Sequence, residues 1–410
     1  MHLAYGTGEL LVSWPAGAEP DLISYAARAL DPSAAEAALR RAVREPVASE
    51  PLSRLAAGRR EAVILVSDVT RLCPTAEILP HLLDALNEGG LPDSRIRVVV
   101  ALGTHRMQTE AELRDIAGEA FRRVAVVNHS AAPEDCVELG TTALGTPIAL
   151  NRIVAQADLR IAVGNIEPHR LVGLSGGGKA LFPGVAAAPS IERHHALSRR
   201  FAAVPGYDDN PLHRDIEEAV AMCPVHFLCN VVVDHRRRLL GVFAGSLTEA
   251  HRQGARFARE QFLVPIGRRY ELVVASAGGA PKDMQLYQAI KSLENAAGFA
   301  APGAPILLVA RCQEIYGNGT FQSWAETHAD RERAVQRLKE RFVLGAHKLR
   351  ILHDIVAKHP VSLYSDIPAP LAELLGFRPV EDVQRWIEHH VRPGVRAAAM
   401  PCAALTYPHP

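Results

Sequence analysis

An alternation of short apolar runs with helical stretches constrains this chain more than any other feature. Apolar runs at 62–66, 96–102 and 124–127 are separated by two stretches of helical periodicity. The first carries Ile78, Leu79, Leu82, Leu83 and Leu86 and stops at Gly89-Gly90; the second covers 109–117. Runs this short read as buried strands, whereas apolar residues three and four apart read as one face of a helix. Strand, helix, strand, helix, strand returns the chain to the same edge each time, so the strands must lie parallel with helices on their faces. Further strands are expected at 159–163, 227–233 and 239–243, the last two paired across a turn at 234–238.

After Pro265-Ile-Gly the pattern begins again, with strands at 272–276, 305–310 and 361–364 and helices at 331–342 and 345–357. A length of 410 residues suits two domains. The expected fold is therefore α/β, with two α/β domains at 1–265 and 266–410. Each has a mainly parallel sheet flanked by helices, with the active site in the cleft between them. Residues 1–60, punctuated by prolines and holding a helix start at Asp31-Pro-Ser-Ala-Ala-Glu, are read as a covering segment of the first domain.

Ligands of parallel sheets bind beyond the carboxyl ends of the strands. Three sets of chemically capable residues follow expected strands: Asp68 and Arg71, His105, and His169. All three are therefore expected at one edge. Histidine suits proton transfer because its ordinary pKa is close to neutrality. Two histidines could serve opposite faces of a substrate, and an arginine fork could grip a carboxylate or phosphate. Each also has a plainer reading, as a loop histidine bonded locally or a structural ion pair.

The stretch from Gly164 to Gly184 holds Gly176, Gly177, Gly178 and Lys179, with His194 and His195 beyond. Glycine-rich backbone can close its N–H groups around an anion. Gly173 to Lys179 fits the G-x-x-x-x-G-K spacing of a P-loop, which makes a phosphate- or nucleotide-binding protein the alternative reading. Against it, Ala180 stands where a magnesium-binding hydroxyl belongs, and residues 164–172 separate strand from loop. Lys179 is read as a phosphate clamp or an amine nucleophile. His195 is read as a helix-surface residue or a metal ligand. Tyr287 and Lys291, four apart, share one face of a later helix that also carries Gln288.

Composition excludes several classes. Lysine plus arginine, at 45, equals aspartate plus glutamate, so no overall field recruits nucleic acid or an anionic membrane. No apolar run approaches the ~18 residues of a membrane span. The first residues lack the pattern of a signal peptide. Six scattered cysteines form no C-x-x-C pair, which argues against a thiolate metal site and suits a cytoplasmic protein.

Taken together, Ser67-Asp-Val-Thr-Arg71, Ala101-Leu-Gly-Thr-His-Arg106, Glu167-Pro-His169, Ser175-Gly-Gly-Gly-Lys179, His195 and Tyr287-Gln-Ala-Ile-Lys291 resemble the nickel-dependent lactate racemase family. Their order and spacing are preserved from about Pro51 to Asp366. The resemblance implies a racemase or epimerase of a 2-hydroxy acid, lactate or a related acid such as malate. It implies a nickel pincer nucleotide, a pyridinium mononucleotide holding nickel through sulfur, carbon and sulfur. Enzymes that synthesise this cofactor are then implied partners. Lys179 would be the lysine that can join the cofactor, and His195 the protein's nickel ligand. His105 and His169 would be the acid/base pair. Asp68, Arg71, Gly176, Gly177, Gly178, Tyr287, Gln288 and Lys291 would line cofactor or substrate. One histidine would take the hydroxyl proton as the α-hydrogen leaves as hydride, and the planar 2-oxo acid would be reduced on either face.

Overall fold

The computed structural model describes residues 1–26, 28–327 and 331–409. The strand Ala62–Ser67 has parallel neighbours on both sides, Ile96–Ala101 and Leu159–Asn165. That position explains its unbroken apolar sequence, because a strand covered on both faces has no solvent side to carry polar residues. The six-stranded sheet runs in the order 239–245, 227–233, 159–165, 62–67, 96–101, 125–128. All neighbours are parallel except the edge pair 227–233 and 239–245, which is the antiparallel pair expected across the 234–238 turn.

The helix Thr75–Glu88 buries Ile78, Leu79, Leu82, Leu83 and Leu86, the five residues its periodicity selects. Full burial of such side chains stabilises by roughly 1.5–3 kcal/mol each. Glu110–Ala117 begins with a capping box in which Thr109 and Glu112 exchange side-chain and backbone hydrogen bonds. Asp31 caps Pro32–Arg44 by accepting from the Ala34 N–H. The hairpin of Cys136–Thr141 with Pro147–Asn151 has no counterpart in the sequence reading.

A second sheet of six strands is parallel throughout, in the order 378–379, 361–364, 306–309, 272–276, 397–400, 21–22. Its core contains Val274, Leu307, Val309, Trp386 and Ile387 together with Leu3 and Val12. The chain accordingly divides into Ala27–Gln261 and a second unit of Met1–Ala26 with Phe262–Pro410. This differs from the expected division at 265 chiefly at the N-terminus. Residues 1–26 belong to the second unit rather than the first. They form a hairpin, His2–Tyr5 with Gly8–Leu11, and then an edge strand of the second sheet. Local sequence could not reveal that assignment, since it depends on which sheet has an open edge. All six cysteines are buried and unbridged, and among the described residues no helix is long and apolar enough to cross a membrane.

Chain termini ordinarily fray and tolerate change, but Leu3 is completely buried. Leu3→Ala is therefore expected to lower unfolding stability by roughly 2–5 kcal/mol, the range for truncating a buried leucine. Chemical denaturation of the full chain measures it. A change below roughly 0.5 kcal/mol, the size of a surface effect, would mean that the N-terminal hairpin is not part of the second unit's core.

Candidate active site

Asp68, His105 and His169 lie beyond the carboxyl ends of three adjacent parallel strands, with the Asp68 strand in the middle. Strands are about 4.8 Å apart, so the two outer loops start about 10 Å from each other. A small substrate fits such a gap.

Asp68 is only 4% exposed. Its Oδ2 accepts from His105 Nδ1 at 3.0 Å, and Arg71 Nε lies 3.9 Å from the same oxygen. Its Oδ1 accepts from the Thr70 N–H at 2.8 Å and from the Thr70 hydroxyl. Burial works against the ionised form, but His105, Arg71 and the Thr70 bonds overcome it and hold the carboxyl well below its usual range. Asp68 is thus an anion at neutral pH, fixing the His105 proton on Nδ1 and leaving Nε2 with the lone pair. A half-buried imidazole oriented by a buried carboxylate is an arrangement that can accept a proton on Nε2. The open question of whether Asp68 and Arg71 form a structural ion pair has a more specific answer: the carboxylate's shorter contact is to the histidine.

Beyond the strand Leu159–Asn165, His169 Nδ1 accepts from the N–H groups of Leu171 at 3.2 Å and Val172 at 3.4 Å. Its Nε2 lies 3.4 Å from Lys179 Nζ. Burial of the ammonium, followed by repulsion from Arg71, pushes the Lys179 pKa down to about 7, with Glu167 opposing the shift. Near neutrality a large fraction of Lys179 is therefore a neutral, nucleophilic amine. Arg71 acts electrostatically on both sides, attracting Asp68 and repelling Lys179.

The glycines before Lys179 answer to packing. A β-carbon on Gly176 would lie 2.5 Å from Asn230 Oδ1, one on Gly177 2.9 Å from the His251 ring, and one on Gly178 2.8 Å from Val220. Gly176 and Gly177 also have positive φ. The loop is no P-loop. It follows a two-stranded hairpin, Pro168–His169 with Gly173–Leu174, and leads into a turn, Gly177–Ala180, too short to be an anion-binding helix. The N–H groups of Ser175, Gly177 and Lys179 are bonded to Glu167 O, Asn230 Oδ1 and Gly176 O. Those three cannot also line a phosphate nest, which counts against the nucleotide-binding alternative.

The helix Ala188–Ala196 separates its two histidines. His194 is fully buried, with Nδ1 2.8 Å from Asp215 Oδ2, and that carboxylate also accepts from Thr142 and Thr146. His195 is half-buried, and its Nδ1–H donates to Ile191 O at 2.9 Å. The lone pair is then on Nε2, the state of a metal-ligating histidine whose second nitrogen is held by a carbonyl. In the other unit, Tyr287, Gln288 and Lys291 lie on the helix Leu286–Phe299. Tyr287 and Lys291 are half-buried at the expected spacing of four, while Gln288 is buried.

Sequence reading did not single out Asp215, Asn230 or His251. Asn230 had a legible signal, a polar residue inside the apolar strand Phe227–Val233, which must find a partner when buried. Asp215 and His251 sit on helices, where nothing local distinguishes them from surface residues.

Residues 5–203 match the family model of the lactate racemase N-terminal domain, and 267–389 that of the lactate racemase C-terminal domain. The chain is 30% identical over 358 residues to a lactate racemase of Lactiplantibacillus plantarum, covering 85% of this chain and 84% of that one. It is 29% identical over 337 residues to a lactate racemase of Thermoanaerobacterium thermosaccharolyticum, covering 80% and 79%. The structure of the lactate racemase apoprotein from the latter organism matches with a TM-score of 0.88 at 25% identity, over 100% of this chain and 99% of that one.

The lysine geometry has a direct test. In the ¹³C NMR spectrum of reductively methylated protein, the Lys179 signal, identified by its loss in Lys179→Arg, is expected to titrate near about 7. Between that value and the ordinary 10.5 the folded chain binds fewer protons at this lysine than the unfolded chain. Its contribution to stability therefore rises with pH across that window. A midpoint near 10.5 would remove the neutral amine from the site.

Proposed function

The chain belongs to the lactate racemase family, and on that premise we propose that it interconverts the enantiomers of a 2-hydroxy acid, lactate or a close relative such as malate. One observation carries the reading. Two imidazoles, His105 and His169, stand beyond strands on either side of the central strand, with Arg71 acting on the groups paired to both. Racemisation needs this arrangement, because each enantiomer must lose and regain a hydroxyl proton from its own side.

Two residues fit the nickel pincer nucleotide. Lys179 has the neutral amine that a covalent link would require, and His195 has a second nitrogen already held by a carbonyl. When bound, that cofactor supplies an acceptor that takes up and returns the α-hydrogen with its electron pair. The chain's own residues do the rest. Arg71 holds the substrate carboxylate in its guanidinium fork. His105 Nε2 takes the hydroxyl proton, and the Asp68 anion stabilises the imidazolium that forms. The 2-oxo acid is planar at its former stereocentre, so return of the hydrogen to either face erases configuration. His169 is in the complementary state: its Nδ1 accepts from the Leu171 and Val172 N–H groups, so Nε2 carries a proton that it donates as the opposite enantiomer forms, and in the reverse direction it takes that proton back.

The test uses protein produced together with the cofactor-synthesis enzymes. His105→Ala and His169→Ala are each expected to lower turnover of enantiopure lactate by at least about 10²-fold, the usual contribution of a general acid or base, while nickel content is kept. His195→Ala is expected to lose nickel. Full turnover in either of the first two variants would contradict the acid/base pair, and folded wild-type protein without nickel would contradict the cofactor.

A further inference from the structure

Behind the glycine loop, three side chains converge that the proposed reaction does not use. Asp208 lies in the segment before the helix Pro211–Met222, His213 in that helix's first turn, and His251 on the helix Leu247–Phe262. Their donor atoms all lie within 4.8 Å of one another. The two rings are stacked at 16° with centroids 6.0 Å apart. Both histidines are buried.

Two further observations point to a cation. His213 Nδ1 is buried without a hydrogen-bond partner, a condition that costs roughly 1–3 kcal/mol unless something engages the lone pair. His251 has Nε2 2.9 Å from Ser175 O. A carbonyl can only accept there, so Nε2 carries the proton and Nδ1 the lone pair. Histidines that bind metals are held in this way, one nitrogen on a carbonyl and the other available for the ion.

We propose that Asp208, His213 and His251 form a binding site for a divalent transition cation of the zinc type, separate from His195, which ties the 206–213 segment and the helix Leu247–Phe262 to the glycine loop. Two imidazole nitrogens and one carboxylate oxygen are a zinc-type donor set with room for a water as fourth ligand. Tetrahedral ligands at about 2.0–2.1 Å stand about 3.3 Å apart, which side-chain rotation reaches from the present separations. The mechanical link is already built. The His251 ring lies where a β-carbon of Gly177 would be, and Gly206 N–H donates to Gly173 O at 2.7 Å. An ion here would stiffen the loop that carries Lys179.

This site does not depend on the racemase reading, and its test has no activity readout. The full chain, produced without the cofactor-synthesis enzymes and stripped with a chelator, is titrated with Co²⁺, followed by its d–d absorption, and then with competing Zn²⁺. The expected result is saturable binding that raises Tm, unchanged in His195→Ala. Asp208→Asn, His213→Ala and His251→Ala should each weaken it by at least about 100-fold, since even residues behind the ligands are worth 10–100-fold. Asp208→Asn preserves volume, so it decides the matter if a histidine variant fails to fold. No binding by folded wild-type protein, or binding lost in His195→Ala but kept in Asp208→Asn, would overturn the proposal.

Discussion

An ionised carboxylate shut away from water must be surrounded by donors and cations, and Asp68 is where this structure meets that demand. Two bonds from Thr70, the His105 ring and the Arg71 guanidinium answer it. Each answer has a chemical consequence. The histidine is locked in one tautomer, and the arginine is drawn to a position from which it also acts on Lys179. The buried charge thereby sets the tautomer of His105, while burial, with Arg71 adding to it, keeps the Lys179 amine largely neutral. Position matters as much as charge: Asp68 follows the central strand of three, so groups after both neighbouring strands fall within its reach.

The glycine loop illustrates how one residue pattern can serve two physical purposes. Glycines admit backbone close to a phosphate, and they equally admit a loop close to other protein. Here Asn230, His251 and Val220 approach three successive glycines, and the backbone donors are taken internally. The loop is a rigid platform for Lys179, which suits a residue whose amine must be kept dry to remain neutral.

Much of the fold was legible because short apolar runs and three-and-four spacing are local properties. The strands at 62–67, 96–101, 227–233 and 272–276 fall where such runs predict them. The helix Thr75–Glu88 buries the residues its period selects. Asp31 and Thr109 cap helices through bonds that span only a few residues. The place of residues 1–26 was not legible. Leu3 and the strand Asp21–Leu22 pack against partners hundreds of residues away, and an edge strand carries no mark of the sheet it will join.

What the sequence by itself determined is the set of chemical groups and the edge at which they gather. Parallel strands deliver every following loop to the same side, so Asp68, His105 and His169 could be placed together from connectivity alone. Only the tertiary structure decided their states. Whether a histidine's lone pair is on Nδ1 or Nε2, or whether a lysine is charged, depends on burial and on neighbours distant in sequence. Those quantities do not exist until the chain has folded. His105 on Asp68 and Lys179 beside Arg71 are products of that folding, as is the meeting of Asp208 and His213 with His251 from a separate helix.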